Sequence, residues 1–237
     1  MAGFKESEMG VNVARIWKNG VEQKLVSRLE NEVEVECYNA YAHQVFVVGD
    51  DVYVVGQHKN IYDIGLGANK EVYLLKNIDK QEPKIAITLW ENGVGKDITD
   101  GTCDAFVESI FVYANDVYIV GYEYNAQGKS EAKLWKNGVA QNLQDGKYAY
   151  SVFVYGENIY VAGTNYNNKA ILWKNGKKQE LGNGEAYAVF THGNDVYVTG
   201  YETNAKGIIV AKLWKNGKAK NLTDEKNSTV ATSVFVQ

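Results

Sequence analysis

The sequence is poor in cysteine and proline, and it has neither a long apolar run nor an excess of basic residues. Two cysteines, Cys37 and Cys103, are too few for a disulfide framework or a cysteine-based zinc site. We expect two free, partly buried thiols, with a single bridge as the alternative. No apolar stretch approaches the ~18 residues of a membrane-spanning helix, so we expect no membrane span. A net charge of −4 argues against nucleic acid as a partner, because such binding calls for a clustered basic surface.

What the chain has instead is 23 glycines, 17 tyrosines, and a single proline. Valine and tyrosine favour strands, and glycine and asparagine favour tight turns. This composition indicates an all-β protein built of short strands.

Two motifs recur along the chain. The first contains a tryptophan: ARIWKNG (14–20), ITLWENG (87–93), AKLWKNG (132–138), AILWKNG (170–176) and AKLWKNG (211–217). The second precedes the last four of these: QVFVVGDDVYVVG (44–56), SIFVYANDVYIVG (109–121), SVFVYGENIYVAG (151–163) and AVFTHGNDVYVTG (188–200). The tryptophans are 73, 45, 38 and 41 residues apart, and periods of about 40–50 residues with several short strands are typical of β-propellers.

The repeat predicts one β-propeller domain over residues 1–237, with five blades of four antiparallel strands. Each blade would contain an SVFV strand, a DVYVVG strand, an AKLW strand that ends at Asn-Gly, and a polar outer strand. The tryptophan would fill the wedge between successive blades. The predicted units are 1–30 together with 231–237, 40–99, 105–144, 147–182 and 184–224.

The last blade would be shared between the two ends of the chain, with TSVFVQ (232–237) as its first strand. It lacks a DVYV-like strand, about six residues by comparison with the other units. A closed monomer with an imperfect blade is the favoured interpretation. The alternatives are a piece of a longer array, or self-association through the open blade.

A segment of about 57–86 is roughly twenty residues longer than its equivalents in the other units. It contains the alternating stretch EVYLL (71–75) and the only proline, Pro83. We interpret it as a hairpin insertion between the second and third strands of its blade, and as a possible contact surface for a protein partner.

The phrases WKNG and NDVYVAG resemble those of bacterial β-propeller repeat proteins, and the pattern is similar to YVTN-type and kelch-like repeats. The resemblance covers nearly the whole chain but carries no catalytic motif. It implies an exported or cell-surface bacterial protein. The polar start, MAGFKESEMG, lacks a secretory apolar core, so we expect a cytoplasmic protein or one whose targeting segment is missing here. At the level of fold alone, a five-bladed ring is similar to tachylectin-like lectins and to certain arabinan-cleaving glycosidases.

Two positions vary between units that are otherwise close copies. They lie three and five residues before the repeated phenylalanine and are rich in aromatic and titratable groups. Loops at this end of a propeller commonly bind ligands over the central channel. The sequence therefore predicts a ligand-binding ring in a central funnel: Tyr41, His43, Phe106, Glu108, Tyr148, Tyr150, Glu185 and Tyr187.

Tyrosine and phenylalanine can stack on sugar rings while glutamate and histidine bind hydroxyls, so the leading hypothesis is a non-catalytic glycan-binding or small polar ligand-binding module. The plain alternative is that these side chains fill the channel. Further hypotheses are a protein-interaction scaffold that uses the insertion, a repeat fragment with no ligand, and a glycosidase with Glu108 and Glu185 as its carboxylate pair. The scattered histidines His43, His58 and His192 give no metal-ligand spacing, and we expect neither a metal nor another cofactor.

Overall fold

The computed structural model describes residues 1–7, 10–28, 34–37, 39–59, 62–66, 72–76 and 83–237, with the backbone alone for 28, 34–36, 62–66 and 72–76. These residues form strands and turns, and no helix occurs among them. The all-β class predicted from the sequence is therefore confirmed. None of the described segments forms a helix long and apolar enough to span a membrane. The chain divides into two compact units, Met1–Val107 and Glu108–Gln237.

The first unit contains two main sheets and a separate hairpin. One sheet has the order β1-β2-β3, the other β5-β4-β11-β10-β7-β6, and β8 and β9 pair with each other. The strands are β1 (Ala2–Glu6), β2 (Asn12–Lys18), β3 (Val21–Lys24), β4 (Val26–Arg28), β5 (Glu34–Glu36), β6 (Ala40–Val48), β7 (Asp51–Lys59), β8 (Tyr62–Leu66), β9 (Val72–Lys76), β10 (Ile85–Glu91) and β11 (Val94–Asp97).

The β8–β9 pair is antiparallel and lies within the predicted hairpin insertion. The other parts of that insertion, 60–61, 67–71 and 77–82, lie outside the described residues.

The second unit contains a four-stranded and a seven-stranded sheet, each in sequence order. The first of its strands, β12 (Ala105–Tyr113), begins in the first unit. It is followed by β13 (Asp116–Tyr124), β14 (Ser130–Lys136), β15 (Val139–Asn142), β16 (Gly146–Tyr155), β17 (Asn158–Asn165), β18 (Lys169–Lys174), β19 (Lys177–His192), β20 (Asp195–Thr203), β21 (Ile209–Lys215) and β22 (Lys218–Asn221).

Strand β19 joins two predicted repeat units. Its first half, to Asn183, pairs with β18, and its second half, from Gly184, pairs with β20. The expected boundary between 147–182 and 184–224 thus lies inside one continuous strand.

The sheet around β7 has six strands instead of the expected four. Leu25 is fully buried in a cluster with Trp90, and this places the following residues of β4 beside the edge strand β11. There Val26 and Ser27 pair in parallel with Val94 and Gly95. The sheet is therefore not purely antiparallel, because β4 joins its edge in parallel, and β5 then pairs antiparallel with β4.

The Asn-Gly turns follow directly from local chemistry. In all five, φ lies between 51° and 52° at asparagine and between 77° and 88° at glycine, as a type I′ hairpin turn requires. In four repeats the asparagine side chain also accepts a hydrogen bond from the second strand: Val52 N to Asn92 Oδ1 (2.9 Å), and Val117 N to Asn137, Ile159 N to Asn175 and Val196 N to Asn216 (2.8 Å each). The asparagine of the WKNG motif thus fixes the first residues of the NDVY strand in the same repeat.

Four of the five tryptophans are at most 2% exposed: Trp90, Trp135, Trp173 and Trp214. Three of them belong to clusters that include residues of the preceding repeat. Trp173 clusters with Val120 and Leu134, Trp214 with Ala162 and Leu172, and Trp90 with Ala14 and Ile16. The tryptophan therefore packs between successive repeats within each unit, as the sequence predicts, and its truncation would cost about 3–5 kcal/mol.

A row of phenylalanines from successive repeats crosses the second unit. The ring centroids of Phe111 and Phe153 are 4.7 Å apart, those of Phe153 and Phe190 also 4.7 Å, and those of Phe190 and Phe235 5.3 Å. Phe235 thus occupies the next place in the row, although residues 232–237 are not in a strand as expected. The other SVFV segments each pair with a DVYV strand, whereas no described strand pairs with residues 232–237.

Both cysteines are free, as expected. Cys37 is buried, and its Sγ lies 3.2 Å from Trp90 Nε1 and 3.1 Å from Ser27 Oγ. Burial raises the pKa of this thiol.

Candidate functional site

Three of the predicted ring residues occupy the extra position of a β-bulge. In β6, β16 and β19 the pairing with the following strand shifts by one residue at His43, Tyr150 and Tyr187, respectively. A bulge bends its strand and turns the extra side chain away from the regular alternation. The bulge therefore reorients the side chain at the variable position three residues before the repeated phenylalanine.

The repeated glycine of the second strand makes this bulge possible. A Cβ on Gly56, Gly163 or Gly200 would lie 2.0–2.1 Å from a carbonyl oxygen of the bulged strand. Only glycine permits so close a backbone approach. The carbonyls belong to the other variable position of the ring: Tyr41, Tyr148 and Glu185.

The second unit brings together a group that we call the tyrosine–glutamate cluster. Its members are Glu108, Tyr122, Tyr148, Tyr150, Glu185, Tyr187 and Tyr201. Successive ring centroids are 4.6 Å apart for Tyr122–Tyr148, 6.1 Å for Tyr148–Tyr150, 5.3 Å for Tyr150–Tyr187 and 5.8 Å for Tyr187–Tyr201. The rings are tilted or edge-on to one another, in the geometry that aromatic pairs prefer.

A hydrogen bond connects the rings to a carboxylate. The Tyr150 hydroxyl donates to Glu185 Oε2 at 2.9 Å. Both residues are partly buried, so the acceptor holds the ring at a fixed angle while part of each side chain stays accessible. Ring faces therefore lie beside hydrogen-bonding groups in this part of the structure.

Burial and the nearby carboxylates raise the pKa values of tyrosines in the cluster. Burial, and then the negative charge of Glu108, raise the pKa of Tyr122 to about 12. Burial, and then the charge of Glu185, likewise raise the pKa of Tyr150, Tyr187 and Tyr201 above the ordinary value.

The negative charge of Glu108 is not compensated by a nearby cation of the described residues. The Glu108 side chain is open to solvent on one side, yet the protein around it disfavours the charged form and raises its pKa. Among the described residues, neither Glu108 nor Glu185 forms an ion pair with lysine or arginine. Lys147 borders the cluster, since its Nζ lies 4.9 Å from the centroid of the Tyr148 ring.

Five of the eight predicted ring residues belong to this cluster, and the other three belong to the first unit. There the Tyr41 hydroxyl accepts a hydrogen bond from Asn12 Nδ2 at 2.6 Å, and its ring packs edge-on to Phe4 at 4.9 Å. Partial burial lowers the pKa of His43. Phe106 lies near the start of β12 and is half-buried.

Sequence reasoning missed two members of the cluster, Tyr122 and Tyr201. Each directly follows the repeated glycine of its second strand, and Tyr201 pairs with Glu185 across the hairpin. Both residues could have been predicted, because the register of a hairpin identifies the residue opposite each ring position.

No group of three or more metal-ligating side chains occurs in the part of the chain that the structure describes. Asp100-Gly101 is a type of turn whose oxygens could bind calcium. Here the Asp100 carboxylate stabilises the turn itself. Asp100 Oδ1 accepts hydrogen bonds from the backbone N–H and the hydroxyl of Thr102, at 2.9 and 2.7 Å.

A comparison of the chain with known family models found no match, and neither did a comparison with curated proteins. No residue role therefore comes to the cluster from a relative, and its chemistry rests on its own geometry.

Proposed function

We propose that the sheets of this protein are the blades of a five-bladed β-propeller of the bacterial WKNG-repeat type, with a last blade that combines both ends of the chain. Within each unit, this is supported by the tryptophan packed between successive repeats. In the second unit it is supported by the regular row from Phe111 to Phe235, because equivalent residues of adjacent blades lie side by side.

The proposed function is non-catalytic binding of a glycan at the tyrosine–glutamate cluster. The observation that carries it is the connected series of partly exposed tyrosine rings joined to Glu185 by the Tyr150 hydrogen bond. The apolar faces of a sugar pack on aromatic rings, and its hydroxyls find partners in carboxylate and phenol oxygens.

The charge of the cluster restricts which glycans it would bind. Because Glu108 and Glu185 have no lysine or arginine ion-pair partner among the described residues, an acidic sugar would meet uncompensated negative charge. We therefore expect neutral or amine-bearing glycans to bind and acidic ones to be rejected at this site.

A glycan array that includes neutral, amino and acidic sugars tests this proposal. The Tyr150→Ala, Tyr187→Ala double variant should lose the binding that the wild-type protein shows. The matched control is the Tyr113→Ala, Tyr155→Ala double variant, which removes two exposed tyrosines from the ends of the neighbouring strands β12 and β16. Folded wild-type protein that binds no glycan, or a cluster variant that binds as well as the control, would contradict the proposal.

A protein-interaction scaffold is the second candidate, favoured by the β8–β9 hairpin, which forms a two-stranded sheet of its own. Deletion of this hairpin should then remove a protein partner while glycan binding persists. A glycosidase would instead hydrolyse the bound glycan, and the Glu108→Gln variant would lose this activity. Analysis of released products therefore separates binding from hydrolysis.

A further inference from the structure

A cleft outside the tyrosine–glutamate cluster is a second candidate site. This cleft of about 420 Å³ lies in the second unit between the β13–β14 turn, the β15–β16 connection and the β17–β18 turn. It shares no residue with the cluster. Its volume falls within the range of small-ligand sites, roughly 300–1,000 Å³.

Two walls of the cleft are turns fixed by an asparagine. Asn125 Oδ1 accepts the backbone N–H groups of Gln127 and Lys129, both at 3.0 Å. Asn165 Oδ1 accepts those of Asn167 at 2.9 Å and Lys169 at 3.0 Å. Lys129 and the residues beside Asn165 therefore project from backbone that is already ordered, which reduces the entropy cost of binding.

The third wall is anchored in the core. Leu143 is 3% exposed, and the carbonyl of Gln144 accepts a hydrogen bond from Trp173 Nε1 at 3.0 Å. The core tryptophan thus fixes the backbone, and the Gln144 side chain lines the cleft.

Three of the four charged groups in the cleft already have partners. Lys178 Nζ lies 2.7 Å from Asp145 Oδ2. Glu131 accepts a hydrogen bond from Asn125 Nδ2 at 2.9 Å and lies 3.8 Å from Lys133 Nζ. The fourth group, the ammonium of Lys129, is 4.0 Å from the centroid of the Tyr166 ring.

No carboxylate of the described residues lies within 4.0 Å of this ammonium. The Lys129 ammonium is therefore the ionic group in the cleft that a ligand could engage without breaking an existing ion pair.

We propose that this cleft binds a carboxylate-bearing sugar residue, with Lys129 as the carboxylate partner and Tyr166 as the packing surface. A lysine–carboxylate contact is a charge-assisted hydrogen bond, about twice as strong as a neutral one. The Tyr166 ring remains 39% exposed and can pack against the C–H face of a sugar. The side-chain amides of Asn142, Gln144 and Asn167 can donate to and accept from its hydroxyls.

The charge preference of this site is the opposite of that of the cluster. The ionic group of the cleft that has no ion-pair partner among the described residues is a cation, whereas the cluster carries two carboxylates. The two sites are therefore separable by ligand charge and by mutation, and the cleft does not depend on the function proposed for the cluster.

Titration calorimetry with the full chain tests the proposal, with trigalacturonate as the probe and the uncharged galactose trisaccharide as its control. Wild-type protein should bind the acidic sugar at least about tenfold more tightly than the neutral one. Lys129→Gln should remove this preference, and Lys129→Arg should restore most of it. Lys206→Gln is the matched control, since Lys206 lies on the equivalent Asn204 turn of the last repeat, and it should bind like the wild type.

Circular dichroism establishes that each variant is folded. Equal affinity for the acidic and neutral sugars, an unchanged affinity in Lys129→Gln, or no sugar binding would overturn the proposal. A polyglutamate peptide serves as a further probe. If the protein binds this peptide but not trigalacturonate, the ligand of the cleft is an acidic protein segment and not an acidic sugar. The Tyr150→Ala, Tyr187→Ala variant should bind trigalacturonate like the wild type, and loss of binding there would also count against a separate site.

Discussion

The hydroxyl of Tyr150 donates a 2.9 Å hydrogen bond to Glu185, a residue from the next repeat along the chain. Both side chains extend from strands in which a bulge displaces the regular register. The contact therefore joins two repeats through residues at ring positions that vary between units, and it lies within the proposed glycan site.

Removing this hydrogen bond should weaken the fold slightly. We expect Tyr150→Phe to lower the free energy of unfolding by about 1–2 kcal/mol, because a hydrogen bond to a carboxylate is lost while the ring is kept. Urea denaturation measures the change. Tyr155→Phe, at a largely exposed ring of the same strand, should stay within about 0.5 kcal/mol of the wild type. Equal effects in the two variants would show that the hydrogen bond contributes nothing to stability.

The cluster should make the protein sensitive to alkali. The pKa of Tyr122 is raised from 10.0 to about 12, so the folded state holds this proton more tightly than the unfolded state does. The resulting stability is fully present below about pH 10 and is lost as the pH rises towards 12. We expect Tyr122→Phe to reduce this loss by up to about 2 kcal/mol, measured by urea denaturation across that range.

Tyr113→Phe, at an exposed tyrosine of β12, is the control for this experiment and should keep the wild-type dependence on pH. A Tyr122→Phe variant with the wild-type dependence would exclude Tyr122 as its source.

The glycine opposite the bulge should be among the least replaceable residues. In Gly163→Ala, the new Cβ would lie 2.1 Å from the Tyr148 carbonyl oxygen and 2.9 Å from the Trp173 ring. Since neither the backbone nor a buried tryptophan can move away cheaply, we expect a loss of at least about 3 kcal/mol. Gly156→Ala, at a turn glycine with φ of +58° and open space around it, should cost only about 1 kcal/mol. Thermal unfolding compares the two, and similar losses would disprove the close approach.

The asparagine of WKNG should contribute in two separable ways. Asn137 has φ of 51°, accepts the Val117 N–H at 2.8 Å and donates to Asp116 Oδ1 at 2.7 Å. Asn137→Gly keeps the backbone conformation but removes these bonds, at an expected cost of about 1–2 kcal/mol. Asn137→Ala should cost about 1 kcal/mol more, because alanine is also strained at this φ. If the two variants unfold at the same denaturant concentration, backbone strain is not part of the role of Asn137.

The hairpins were predictable because their causes are local. In the repeat that contains Asn137, the four expected strands appear as β12 to β15, and the Asn-Gly turn has the predicted conformation. The buried position of the tryptophan was predictable too, since a large apolar residue that recurs in every unit belongs to the packing of the repeat.

The composition of the candidate site was predictable only in part. The variable positions pointed to Tyr148, Tyr150 and Glu185, because positions held by packing cannot vary in this way. Tyr122 and Tyr201 were missed, as they follow a constant glycine and look like continuations of the strand. Lys129 and Tyr166 carried no sequence signal for a cleft, because they come from turns 37 residues apart.

The sequence by itself determined the strands and their turns, because hydrogen bonding across a hairpin depends on neighbours in the chain. It also determined which residue packs between repeats, because a large apolar side chain that recurs in every unit belongs to the packing of the repeat. The tertiary structure decided where the bulges turn His43, Tyr150 and Tyr187, and which side chains from different repeats meet. It also decided that β4 lies parallel to β11. These features depend on contacts between segments that are distant in the chain, and no local sequence pattern specifies such contacts.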